Sequence, residues 1–211
     1  MVKRRLKPFV MPSLYIMCVV AFLLFTFLLS KSLLVAEEIE AKNYVYVSSE
    51  ILMDDVVPVI KTINKNIVKP FTDNNVKLVK SFYDYKKDAK SQEKSLIYYN
   101  DTYIQSTGVS YSATNMFNCM AVLDGEVIKV KEDDIVGKTV IVKHNTELIS
   151  VYQSLGEVSV KENDKINQGD IIGTSGVNEA ESDLGNHLHF ELIYKNEAIN
   201  PEDYYGKTLG E

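Results

Sequence analysis

The stretch Leu184-Gly185-Asn186-His187-Leu188-His189-Phe190-Glu191-Leu192 decides the reading of this chain. From His187 its polar residues alternate with apolar ones, and side chains on an extended strand repeat with period two. The pattern predicts a β-strand with His187, His189 and Glu191 on one face and Leu188, Phe190 and Leu192 on the other. Two imidazoles and a carboxylate then stand over a site, with an apolar stripe behind them. The chain has three histidines in all, so two placed this way are no accident of composition. A His-x-His pair alone does not specify a metal centre, because a hydrolytic zinc takes three protein ligands and keeps an open water position.

Outward from this strand the chain reads as β. Val158–Val160 and Ile171–Ile172 are short apolar runs set off by Gly and Asn turns. Lys138–Lys143 and Glu147–Gln153 flank His144-Asn145-Thr146 as a hairpin, with His144 expected to be an exposed polar turn residue. Asp124-Gly125 is expected to join Met120–Leu123 to Glu126–Val130 in another hairpin, since glycine accepts positive φ. Val76–Tyr83 and Leu96–Tyr99 add strands, and the polar run 84–94 reads as a solvated loop. Together these predict a compact antiparallel β-domain over residues 76–211.

The N-terminal part is of another kind. Residues 1–7 are basic, and residues 8–30 contain no charged side chain. At about 1.5 Å per residue such a helix is long enough for a hydrocarbon core of roughly 30 Å. The Lys and Arg residues ahead of it predict a single-pass anchor with a cytoplasmic N-terminus and the rest of the chain outside the membrane. A cleaved signal peptide ending near Ala36 is the competing reading, but its apolar region would be too long. Residues 31–75, broken by Pro58 and Pro70, read as a stalk. Beyond Lys31 there are 18 lysines and 29 carboxylates, a balance of −11. That charge excludes nucleic acid, anionic wall polymers and lipid headgroups as main partners, and favours a neutral or basic protein. Cys18 lies in the anchor and Cys119 in the outer domain, so the two do not pair; Cys119 reads as a small buried apolar residue.

The run Asn167-Gln168-Gly169-Asp170-Ile171-Ile172-Gly173-Thr174-Ser175-Gly176, the His187–Leu192 strand and Asn200-Pro201 resemble the C-terminal half of the lysostaphin-type (LytM-like) zinc endopeptidases. These cut peptide cross-bridges in bacterial cell walls. The resemblance implies a LytM-like β-fold with zinc held by the His and Asp of a His-x-Gly-x-Asp-type motif and by the second histidine of His-x-His. The matching stretch here is Ser106-Thr107-Gly108-Val109-Ser110-Tyr111, with serine at both ligand positions. A further family histidine falls on Ser154. Of the expected ligands only His189 remains, and a neutral hydroxyl replaces neither imidazole nor carboxylate on zinc. Ser106, Ser110 and His189 are therefore expected to be vestigial metal positions. His187, His189 and Ser154 are expected to be vestiges of the catalytic set, with no cofactor bound. Glu191, or Asp183 on the preceding loop, would be improvised ligands if zinc were held. A new serine nucleophile is not supported, because no carboxylate orienter or oxyanion hole is legible.

With the anchor, Ser81-Phe82-Tyr83-Asp84-Tyr85, Ser95-Leu96-Ile97-Tyr98-Tyr99, Gly108-Val109 and Gly185-Asn186-His187 narrow the resemblance to the stage II sporulation protein Q family of endospore formers. That family implies a domain exported from the forespore into the intermembrane space, where it binds stage III sporulation protein AH in engulfment and a feeding channel, with a possible ring-like assembly. Some members keep the first histidine and bind zinc; the Ser106 and Ser110 pattern resembles the degenerate group. The alternatives are an activator of a peptidoglycan amidase and an active zinc wall endopeptidase.

Overall fold

The computed structural model describes residues 65–209, and the expected basic tail, membrane anchor and first part of the stalk lie outside them. Among the described residues no helix is long and apolar enough to cross a membrane. The strands are β1 (Lys77–Lys80), β2 (Leu96–Tyr99), β3 (Thr102–Gln105), β4 (Val109–Ser112), β5 (Asn118–Met120), β6 (Gly125–Asp133), β7 (Gly137–Lys143), β8 (Leu148–Val158), β9 (Lys165–Ile166), β10 (Ile171–Ser175), β11 (His187–Tyr194) and β12 (Glu197–Ile199). The main antiparallel sheet runs β1-β4-β11-β8-β7-β6-β9, with β10 bridging β5 to β8 and β12 on β11; β2 and β3 form a separate hairpin.

The expected histidine strand is β11, near the middle of the sheet and buried from His187 to Ile193. Its alternation sorts two environments. Leu188, Phe190 and Leu192 join Val109, Tyr111, Val140, Val142 and Tyr152 in the main core. The Tyr152 and Phe190 rings lie 5.1 Å apart, and the Tyr152 hydroxyl accepts from Val122 N at 3.0 Å. On the opposite face a small cluster of Ile141, Val151 and Ile193 sits beyond the histidines. A bare backbone at Gly108 lets the chain enter β4 close to β11, since a Cβ there would lie 2.3 Å from the Phe190 carbonyl oxygen.

Several expectations change. Asp124-Gly125 does not close a hairpin: β5 pairs with β10, and β6 pairs with β7 and β9. The β7–β8 hairpin is present, with Lys143 opposite Ile149. Within the run 84–94 the chain forms a short helix, α1 (Ala89–Lys94), whose N-terminus is capped by Asp88 accepting from Ser91 N. Residues 65–75, assigned to the stalk, pack on the domain instead. Ile67 is fully buried and exchanges backbone hydrogen bonds with Gly206 and Lys207.

His144 is not an exposed turn residue. It is 6% exposed. Nδ1–H donates to the Asp124 carbonyl at 2.9 Å, which leaves Nε2 to accept from the Ser150 hydroxyl at 2.8 Å. One donor and one acceptor fit the neutral ring, and burial lowers its pKa from 6.5 to about 4. The unfolded chain therefore binds a proton between pH 6.5 and about 4 that the folded chain does not, so this residue's contribution is present above pH 6.5 and lost as pH falls. At about 1.4 kcal/mol per pH unit, that is a loss of up to about 3 kcal/mol. Denaturant titrations across this range should show a shallower acid-side slope for His144→Gln than for the parent chain; equal slopes would contradict the buried neutral ring.

Candidate functional site

Cross-strand register builds the site. Ser110 on β4 and Gln153 on β8 lie opposite His189 on β11. Ser154 follows at the kink of β8 with φ of 61°, a left-handed conformation that serine adopts seldom. The remaining members come from the loop before the strand. Asn178 and Glu181 are brought in by the segment between β10 and the 3₁₀ turn Ser182–Leu184, and Asn178 Oδ1 accepts from Glu181 N at 2.7 Å.

Glu181 is the centre. Only 2% exposed, it accepts from the Ser110 hydroxyl at 2.8 Å, and its other oxygen lies 3.1 Å from His189 Nδ1 and 3.7 Å from His187 Nε2. Ser110 Oγ is also 2.9 Å from His189 Nδ1, so the hydroxyl accepts there and donates to Glu181. On the far side of the ring, His189 Nε2 faces Glu191 Oε1 at 3.5 Å. The Thr107 hydroxyl donates to the same oxygen. His189 thus stands between two carboxylates. Burial alone would favour its neutral form, but the charge of Glu181 outweighs it and holds the imidazole above its ordinary pKa. Burial likewise works to raise Glu181, and the His189 charge overrides it, keeping the carboxyl well below the usual range. The result is a buried imidazolium–carboxylate pair.

His187 behaves differently. Burial lowers its pKa, partly offset by the Gly185 carbonyl, which accepts from Nδ1–H at 2.8 Å. Nε2 then accepts from the Ser154 hydroxyl at 2.8 Å, and Asn178 donates to that hydroxyl's oxygen.

Ser110, Ser154, His187 and His189 are therefore brought together, linked through Glu181 and Asn178. Ser106 is buried, but its hydroxyl is committed to the Gly108 carbonyl at 3.0 Å and makes no hydrogen bond to the histidines. Glu191 shares the histidine face as its spacing predicts, whereas Asp183 is exposed. Glu181 and Asn178 are absent from the sequence reading. Asn178-Glu179-Ala180-Glu181-Ser182-Asp183 reads as a polar surface loop, and nothing in its spacing marks Glu181 as the residue that turns inward. Cys119 is buried, and burial raises its thiol pKa, as expected of a packing residue.

A zinc ion does not fit this donor set. Zinc needs a bare imidazole nitrogen, and His189 Nδ1 is taken up by the Glu181 carboxylate at 3.1 Å and the Ser110 hydroxyl at 2.9 Å. Ser106 and Ser110, the positions expected from the sequence to complete such a site, carry hydroxyls. Among the described residues no group of three or more His, Cys, Asp or Glu side chains is arranged to hold a metal ion.

Residues 105–201 match peptidase family M23. The chain is 39% identical over 159 residues to stage II sporulation protein Q of Bacillus subtilis (strain 168), covering 74% of this chain and 56% of that protein, a little over half its length. A solved SpoIIQ chain from the SpoIIQ–SpoIIIAH pore-forming complex is 38% identical with a TM-score of 0.67, over 71% of this chain and 95% of that one. The murein hydrolase activator NlpD of Escherichia coli (strain K12) is 34% identical over 68 residues, 32% of this chain and 17% of that protein. From the sheet, the buried His-x-His strand and an identity that spans nearly all of the solved SpoIIQ chain, it follows that this chain belongs to the M23 peptidase family and, within it, to the stage II sporulation protein Q group.

Proposed function

We propose that this chain is a non-catalytic LytM-like module of endospore formation. Carried out of the forespore membrane on residues 8–30, it binds a stage III sporulation protein AH on the facing membrane and holds the two together. The observation that carries this reading is the 38% identity across 95% of a chain solved in complex with SpoIIIAH.

The chemistry of the cleft supports a binding role over a cutting one. In a metal-dependent hydrolase, a bound cation activates water beside a neutral histidine. Here Ser106 and Ser110 stand at ligand positions, and Ser154 takes the place of a third imidazole. The carboxylate of Glu181 lies against His189 Nδ1. The cluster is closed to solvent as well: Ser110, Ser154, His187, His189 and Glu191 are each 0% exposed. Glu181 and His189 then act as structural cross-braces between the 176–186 loop and β11.

The likeness to NlpD favours a second reading, activation of a wall amidase, which the same experiment separates. Full-length protein co-expressed with the AH protein of the same organism should purify with it as a stoichiometric complex. Recovery of a wall amidase instead, with a rise in its turnover on mixing, would overturn the proposal in favour of the activator.

Two predictions concern the cleft. Equilibrium dialysis against excess zinc should leave the parent protein without a stoichiometric ion, whereas Ser106→His, Ser110→Asp and Glu181→Ala together should create a zinc site; sub-micromolar uptake by the parent would refute the metal-free reading. Glu181→Gln should lower unfolding free energy by about 3–5 kcal/mol, because it strands a buried charge. The double variant with His189→Gln should recover part of that loss, and additive losses would show that the two side chains are not coupled.

A further inference from the structure

The chain enters the domain through a strap, residues 65–71, that is fastened at nearly every step. Lys65 Nζ donates to both carboxylate oxygens of Asp124 at 2.8 and 2.7 Å, and the Asn66 carbonyl accepts from Gln168 Nε2 at 2.7 Å. Ile67 N–H donates to the Lys207 carbonyl at 2.9 Å, and the Ile67 carbonyl accepts from Gly206 N–H at 2.8 Å. Val68 N–H donates to the Val122 carbonyl at 3.2 Å, and the Pro70 carbonyl accepts from Met120 N–H at 2.8 Å. Residues 68–70 therefore run antiparallel to 120–122. Side chains seal the strap: Ile67 is fully buried in the main core, and the Phe71 ring meets Tyr111 at 4.8 Å and Phe117 at 5.9 Å.

Entry segments and chain ends fray unless something ties them down. Here the strap bonds to two stretches at once, 120–124 ahead of β6 and 204–207 near the C-terminal end. Asp124 carries the fastening inward, since its carboxylate also takes the Gln168 N–H at 2.8 Å and its carbonyl takes His144 Nδ1–H. Tyr111 carries it to β4: its ring packs on Phe71, and its hydroxyl bonds to Glu202, the carboxylate 3.8 Å from Lys69 Nζ. A pull on Lys65 or Asn66 is thus met by parts of the sheet that lie far apart in sequence.

We infer that residues 65–71 form a load-bearing clip, with the 204–207 segment as its keeper. The strap, the 120–124 stretch and the keeper open together with the sheet that they are fastened to. The role rests on the proposed function. A domain that holds two membranes together takes the tension of its own anchor at residue 65, and a strap that peeled off first would lengthen the stalk by up to about 25 Å instead of holding the gap.

Two measurements on the full chain in detergent micelles test the clip. In hydrogen exchange, the Ile67, Val68, Met120 and Gly206 amides should exchange within about a hundredfold of Phe190 at the sheet centre, after correction for intrinsic rates; faster exchange at Ile67 and Val68 would overturn the inference. Lys65→Ala removes an exposed ion pair and should speed all four amides together by about two- to fivefold, although Lys65 bonds to neither Met120 nor Gly206. Acceleration confined to Ile67 and Val68 would overturn the coupling. In magnetic tweezers, with handles immediately ahead of Lys65 and at the exposed Lys195, the parent should extend in a single step, whereas Ile67→Ala should split off an earlier one of up to about 25 Å. That early step in the parent would overturn the clip. Neither measurement involves the AH protein, so failure to capture it would remove the proposed function and leave the clip standing.

Discussion

A carboxylate buried between two histidines organises this molecule. Glu181 reaches in from the loop ahead of β11, takes a hydrogen bond from Ser110 and faces both His187 and His189. A charge with almost no access to water persists only when it is paired and hydrogen-bonded. Its closest neighbours answer that requirement: His189 is held toward its charged form, the Ser110 hydroxyl donates, and Asn178 fixes the backbone that carries the side chain. The same pairing occupies His189 Nδ1, which lies against both the Glu181 carboxylate and the Ser110 hydroxyl.

The strand β11 serves two environments at once. Its Leu188, Phe190 and Leu192 face belongs to the main core, with Tyr152 and Tyr111 packed around it. Changes on the histidine face leave that core untouched, so a protein can lose the groups of a hydrolase and keep its fold. The C-terminal residues contribute as well. Tyr111 donates to Glu202 at 2.6 Å and meets Tyr205 at 2.8 Å, which ties the end of the chain to β4.

The fold was legible where sequence period and structure period coincide. The β11 alternation placed His187, His189 and Glu191 on one face, and the β7–β8 hairpin around Asn145 followed from its flanking apolar runs. What escaped depends on contacts distant in sequence. Asp124-Gly125 has the local form of a hairpin turn, but β5 finds its partner in β10, about fifty residues on. His144 has the neighbours of a surface turn, yet Asp124 and Ser150 supply an acceptor and a donor that permit its burial. Glu181 is one of several carboxylates in a polar loop, and only the folded positions of Ser110 and the two histidines single it out. The serines at 106, 110 and 154 were visible in the sequence, but not the carboxylate that lies against His189.

That charge is also the most direct thing to measure. Nitrogen-15 NMR of the imidazole side chains near neutral pH reports how many ring nitrogens carry a proton. The account predicts a doubly protonated His189, unchanged by added zinc, beside a neutral His187 protonated at Nδ1 alone. A neutral His189 whose Nδ1 resonance moves when zinc is added would contradict it.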